Sequence, residues 1–161
     1  MDTIAGTDRI LVFAIDDQKY AFQLSAVERI VRAVEVTPLP EAPAIVMGVI
    51  NVHGRVLPVV NMRRRFHLSE RAIDPDDQFV VARSSTITVA LPVDITFGVV
   101  EDAAEERLAA AEILPDVNYV EYVLARDAEM IFVLDVETVM TDDEERALAD
   151  SMQDAEAAES Q

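Results

Sequence analysis

Ile45-Val46-Met47-Gly48-Val49-Ile50-Asn51-Val52, then His53-Gly54-Arg55, then Val56-Leu57-Pro58-Val59-Val60 is the stretch on which the reading of this chain turns. Two apolar runs of strand length flank a short polar segment that contains a glycine, the pattern of a β-hairpin. Gly54 suits a turn position with φ > 0, because it has no Cβ to clash there. Pro58 has no amide to donate, so its nitrogen should face an edge or a bulge. After the hairpin, Met62 to Leu68 predicts a short helix with Met62, Phe66 and Leu68 inward and Arg63, Arg64 and Arg65 outward.

Upstream, Leu11–Ile15 and Tyr20–Leu24 flank polar Asp16–Lys19 and predict another hairpin. Ser25 then caps a single helical turn, or the chain runs directly into a strand through Val27, Ile30, Val31 and Val34; the sequence leaves both open. Thr37–Pro43 holds three prolines and must be a connection. Downstream, Asp74-Pro75-Asp76-Asp77 reads as a solvated turn.

The second half then repeats the first. Phe79–Leu91 lies over Val12–Leu24 at an offset of 67 residues, and Tyr122–Asp135 lies over Gly48–Asn61 at an offset of 74. The seven extra residues fall in Ala103–Glu112, whose composition predicts a helix. Two hairpins recurring in the same order indicate a duplicated small β unit. With 23 Val and 11 Ile against 11 Leu, the body should be mostly β, since β-branched side chains fit a pleated sheet better than a helix. From Thr141 the character changes: Thr141 and Glu144 have capping-box spacing, and Leu148 and Met152 can dock one helix face. Disorder is expected beyond Asp154 and flexibility over residues 1–8.

The chain has 161 residues and a formal charge of −18, with −7 of it in residues 141–161. So acidic a surface repels phosphate backbones and anionic lipid, and 3 Tyr with 6 Phe leave little for base stacking. Neither nucleic acid nor direct membrane insertion is expected. The absence of cysteine excludes disulfides, thiolate metal sites and Cys nucleophiles. Met1–Asp8 has no signal-peptide character, and a cytoplasmic location is the expectation.

Chemistry-bearing motifs are scarce. His53 and His67 have no partner at ligand spacing, Asp74, Asp76 and Asp77 lack the Gly and Glu of a calcium loop, and no nucleophile elbow or phosphate loop occurs. No metal or cofactor is expected. One contrast stands out: Arg55, Arg63, Arg64, Arg65 and Arg71 share 19 positions with a single acid, Glu70. This is either a face that balances nearby acids or a docking surface for an acidic partner.

Gly48-Val49-Ile50-Asn51-Val52-His53-Gly54-Arg55-Val56-Leu57-Pro58-Val59-Val60-Asn61-Met62-Arg63 strongly resembles the CheW-like chemotaxis coupling proteins, with their pattern G-V-x-N-L-R-G-x-x-x-P-V-V-D-L-R. The likeness extends to Leu11-Val12-Phe13, Leu24–Ile30, Thr37-Pro38-Leu39-Pro40, Pro92-Val93-Asp94 and Leu134–Glu137, and so over residues 9–140. The resemblance implies a mainly β fold of two SH3-like five-stranded β-barrel subdomains sharing a core, with short helices and a C-terminal helix. The subdomains would occupy roughly 9–70 and 76–140, with exchange of strands between them left open.

The same resemblance implies a non-enzymatic adaptor. Its partners would be a chemoreceptor cytoplasmic tip and the regulatory domain of a CheA-type histidine kinase, at membrane-associated receptor arrays. Val27, Arg29, Ile30, Asn51, Val52, His53, Gly54 and Arg55 would lie at the receptor side, and Gly48, Asn61 and Arg63 at the kinase contact. The chain departs from the family pattern at Arg29, His53 and Asn61, where Glu, Arg and Asp are usual. A Glu–Arg pair across the fold cannot form from Arg29 and His53. The alternative from another class is an acidic β-barrel hydrolase or small-ligand binder using Asp94, Asp127 and Asp135.

Overall fold

The computed structural model describes residues 8–159, with side chains through residue 153. Eleven strands form two sheets. They are β1 (Arg9–Ile15), β2 (Gln18–Gln23), β3 (Val27–Arg32), β4 (Val46–Val52), β5 (Arg55–Val60), β6 (Gln78–Arg83), β7 (Thr88–Val93), β8 (Ile95–Glu101), β9 (Arg107–Ala109), β10 (Val120–Arg126) and β11 (Glu129–Leu134). One sheet has the order β8-β1-β2-β11-β10-β9, the other β3-β6-β7-β5-β4.

Each sheet mixes the two halves of the chain. The hairpin β1–β2 takes β8 at its outer edge and joins β11 in parallel, while β6–β7 takes β3 and joins β5 in parallel. The repeat read from the sequence is therefore a swap in which each hairpin completes the other half's sheet. The architecture is mainly β, as expected, in two barrel-like sheets whose end strands are not joined by a ladder among the described residues.

Alternation explains why both faces of the strands are apolar. Leu11, Phe13 and Ile15 enter a core shared between the sheets, with Val80, Ala82, Val89, Leu91, Val123 and Leu134. Ile10 and Val12 point the other way, into a core enclosed by the six-stranded sheet. Ile50, Leu57, Val59, Phe79, Val81 and Ala90 fill the equivalent space in the five-stranded sheet. With a period of two, one strand serves two cores.

Several expectations need correction. Asp16 and Asp17 alone make the first turn, so Gln18 and Lys19 belong to β2, and Leu24 leaves the strand for a 3-10 turn, Leu24–Ala26. A single turn forms and leads straight into β3, but Ser25 does not cap it: Gln23 takes the N-cap position and no side chain caps the turn. Ala103–Glu112 is not a helix but a 3-10 turn, Ala104–Glu106, then β9, then the one-turn α2 (Ala110–Ile113). Tertiary contacts override propensity there: Arg107 pairs with Asp102 at 2.8 Å and lies 4.2 Å over the Tyr122 ring, while Leu108 packs on the core. Asp77 is no solvated residue; it is buried, accepting from Arg71 and from the Asp74 amide.

The short helix after β5 forms as α1 (Met62–Arg65), capped by the Asn61 side chain on the Arg64 amide. Its arginines do not point free into water: Arg63 pairs with Asp16 and Asp94, Arg64 with Glu70, and Arg65 with Glu144. The C-terminal helix α3 spans Asp142–Glu159 and so continues past the expected onset of disorder at Asp154. Alanine, glutamate and glutamine are good helix formers, and the start is fixed by the reciprocal Thr141–Glu144 capping box. Leu148 is fully buried, and Ser151 donates to the Glu41 carbonyl at 2.9 Å. Ser160 and Gln161 lie outside the described residues, as does all of the expected flexible N-terminus except Asp8.

Candidate functional site

The turn between β4 and β5 is two residues long, His53 and Gly54, with φ of 52° and 84°. Both left-handed values are what a tight hairpin needs to match strand twist. Asn51 holds the turn by accepting the Gly54 amide at 2.8 Å. Although β3 and β4 are the outer strands of their sheet, curvature brings β3 to this turn. Arg55 donates to both oxygens of Glu28, at 3.3 and 3.1 Å, and to Thr88 Oγ1 at 3.0 Å. Arg83 approaches the same Glu28 carboxylate at 3.6 Å.

These contacts close the mouth of the five-stranded sheet around a hollow of about 140 Å³ lined by Arg29, Val52, His53, Arg55, Leu57 and Val81. Leu57 and Val81 are buried floor, while Arg29, His53 and Arg55 are exposed rim. The eight positions expected at the receptor side thus fall on β3 and on the facing β4–β5 turn. Val27 packs on the shared core, and Ile30 stands outward, 37% exposed.

Gly48, Asn61 and Arg63 are placed differently. Gly48 is buried at a bulge, with φ of 151°, and a Cβ there would sit 2.3 Å from the Thr37 carbonyl oxygen. Asn61 is buried beneath α1 and donates to Glu70 at 3.0 Å. Arg63 ties Asp16 in the β1–β2 turn to Asp94 at the β7–β8 junction, and Arg71 joins the same cluster through Asp94 and Asp77. Burial pushes the Asp94 carboxyl up, but the Asp16 amide and the guanidinium groups of Arg71 and Arg63 outweigh it and hold the group below its ordinary range. The arginine-rich stretch therefore spends its charge on the protein's own carboxylates.

One feature escaped the sequence reading. On β8, Ile95, Phe97 and Val99 are 49%, 50% and 46% exposed, on a strand whose register with β1 shifts at a bulge opposite Val12 and Phe13. Lys19 lies 4.8 Å over the Phe97 ring. Their spacing of two was legible, but neither the bulge nor the exposure was. Thr96 of β8 donates through its amide and hydroxyl to Gln78, which pairs with Arg32 of β3. Thus β3 and β8, the edge strands of the two sheets, converge at Gln78.

Nothing here resembles a catalytic centre among the described residues. Asp94 is locked between arginines, Asp127 sits in the β10–β11 turn, and Asp135 accepts the Glu137 amide beyond β11. Among the described residues no group of three His, Cys, Asp or Glu is placed to hold a metal ion.

The family model of the CheW-like domain matches residues 9–144. The chain belongs to the CheW-like domain family. The chemotaxis protein CheW of Rhizobium meliloti is 30% identical over 146 residues, covering 88% of this chain and 93% of that protein. CheW of Thermotoga maritima is 29% identical, covering 81% and 86%. The scaffolding protein TtCheW of Thermoanaerobacter tengcongensis superposes with a TM-score of 0.70 at 24% identity, over 80% of this chain and 89% of that one. Fold and family agree with the expectation of a non-enzymatic CheW-like adaptor in chemosensory signalling. The hydrolase alternative finds no support, in keeping with its three scattered aspartates.

Proposed function

We propose that this chain couples the cytoplasmic tip of a chemoreceptor to the regulatory domain of a CheA-type histidine kinase. The observation that carries the reading is the convergence of two edge strands, one from each sheet, with outward apolar residues: Ile30 on β3 and Ile95, Phe97 and Val99 on β8. Apolar side chains standing out from neighbouring edge strands offer area to the apolar stripe of a helical tip laid across them. The polar rim of Glu28, Arg29, Asn51, His53 and Arg55 borders this area, the usual arrangement of a protein interface.

The kinase domain takes the outer edge of the five-stranded sheet, at β4, leaving the convergence free for the receptor. Gly48 lies in that strand and Asn61 donates its amide to the Ile45 carbonyl at its start, while Arg63, at the start of α1, joins the contact from the Asp16–Asp94 clasp. Among the described residues no helix is long and apolar enough to cross a membrane. The protein works in the cytoplasm and reaches membrane-associated arrays through its receptor.

The test is co-sedimentation with receptor-containing membranes. Ile30→Asp and Phe97→Asp place a charge on exposed positions and should abolish sedimentation while melting temperatures stay near wild type. Gly54→Val, which forces a β-branched residue into a left-handed turn, should weaken it as well. Full binding by both aspartate variants would reject the surface.

A further inference from the structure

Among the described residues, the basic side chains divide into two groups. Lys19, Arg63, Arg64, Arg65, Arg71, Arg107, Arg126 and Arg146 each meet a carboxylate of the protein itself. Around β3 the balance reverses. Arg55 and Arg83 share the single carboxylate of Glu28, and Arg29 and Arg32, like Arg9 on β1, have no ion-pair partner among the described residues. In a chain of charge −18, this corner holds cations in surplus.

Geometry directs that surplus. A bulge at Val27/Arg29 sets Arg29 opposite Val81. Arg29 accordingly lines the hollow at the mouth of the five-stranded sheet, with His53 and Arg55 on the rim and Leu57 and Val81 as its floor. Both positions at which this corner departs from the family's sequence pattern, 29 and 53, therefore line one hollow. At about 140 Å³ it is smaller than the roughly 300–1,000 Å³ typical of small-molecule sites. It has room for one side chain with an apolar stem and an anionic end. A guanidinium group offers paired N–H donors that match a carboxylate, and a site shielded on one side by Leu57 and Val81 strengthens such a bond.

We infer that this hollow is a socket for a single Asp or Glu side chain presented by the receptor tip, with Arg29 as its principal donor. The inference rests on the receptor-docking reading and names the chemistry of the contact. The exposed apolar side chains supply area, and the socket fixes the register of the tip and selects tips that carry an acid at the matching position.

The experiment measures the affinity of the full-length chain for a purified receptor signalling-domain fragment by calorimetry. Variants are Arg29→Glu, Arg29→Gln, Ile30→Asp and, as a charge control on exposed α3, Arg146→Glu. Arg29→Gln should weaken binding about tenfold, the loss of one charged hydrogen bond, and Arg29→Glu more than that. Arg146→Glu should bind as wild type. Acidic residues of the tip are then changed to Lys one at a time, and one of these fragments should recover affinity for Arg29→Glu while losing it for wild type.

If Arg29→Glu and Arg29→Gln bind as wild type while Ile30→Asp does not, docking stands and the socket is rejected. If Arg29→Glu weakens binding and no tip substitution recovers it, the effect belongs to the general field of the edge, and the socket is again rejected. If the wild-type chain does not bind the fragment at all, the docking reading falls and the socket with it.

Discussion

The hairpins β4–β5 and β10–β11 occupy equivalent places in the two sheets, 74 residues apart. Both carry a bulge near the start of the first strand, at Val46/Gly48 and at Val120/Tyr122. Both turn on two left-handed residues, His53 and Gly54 in one, Asp127 and Ala128 in the other. Past the second strand, Asn61 and Asp135 each accept a backbone amide from the next turn. What differs is the surroundings. Residue Thr37 crosses β4 at a single bridge to Val49, whereas the matching segment beside β10 has become a strand, β9. The parallel seam is one pair in the five-stranded sheet, Val59 with Ala90, and four in the other. Pro58 has no amide to extend that seam, and Phe132 stands at its counterpart position in β11.

The comparison shows that one apolar alternation makes either hairpin, and that neighbours decide its use. The crossing chain leaves the first hairpin thinly covered, with its turn exposed and a hollow beside it. The second is walled in by β9. Charge follows the same division. Arg63, after the first hairpin, clasps Asp16 in the β1–β2 turn, while its counterpart Glu137 accepts from Ser85 in the β6–β7 turn.

The equivalence can be broken most sharply at Gly48 and Tyr122, which occupy the same place in the two bulges. Gly48→Val drives side-chain atoms into the Thr37 carbonyl and should cost about 3 kcal/mol, a fall in melting temperature of about 10 °C. Tyr122→Phe keeps the volume and removes only the hydroxyl that donates to buried Asp102, so about 1.5 kcal/mol is expected in the same thermal melts.

The clasp after the first hairpin predicts a pH effect. The Asp94 carboxyl is held below its ordinary range in the folded protein, so its contribution is present above the unfolded-state pKa of about 3.9. That stability is lost as pH falls through the folded value. Asp94→Asn should cost about 2 kcal/mol at neutral pH and flatten the acid limb of the stability curve in denaturant titrations from pH 7 to pH 3. An unchanged acid limb would remove the clasp from the argument.

The smallest effects sharpen the turns. Gly54→Ala should destabilise by about 1 kcal/mol, through left-handed strain alone, since no atom lies within 4 Å of the added Cβ. Ala128→Gly should stabilise by about 0.5 kcal/mol, because Ala128 bears that strain already, at φ of 66°. Urea unfolding at neutral pH resolves both.

Alternation and turn chemistry are local, so the hairpins, the β1–β2 and β6–β7 correspondence, the Pro-rich connection and the capped start of α3 could be read from the residues alone. The tight turn between Asn51 and Arg55 was legible for the same reason. It took the folded molecule to show that the hairpins β1–β2 and β6–β7 change sheets, pairing with β8 and β3, because a strand's choice of neighbour depends on segments some fifty to ninety residues away. It likewise showed that Arg63 and Arg71 are spent on Asp16, Asp94 and Asp77 while Arg29 meets no acid among the described residues. Charge in a sequence has sign but no distance, and an ion pair is made by distance.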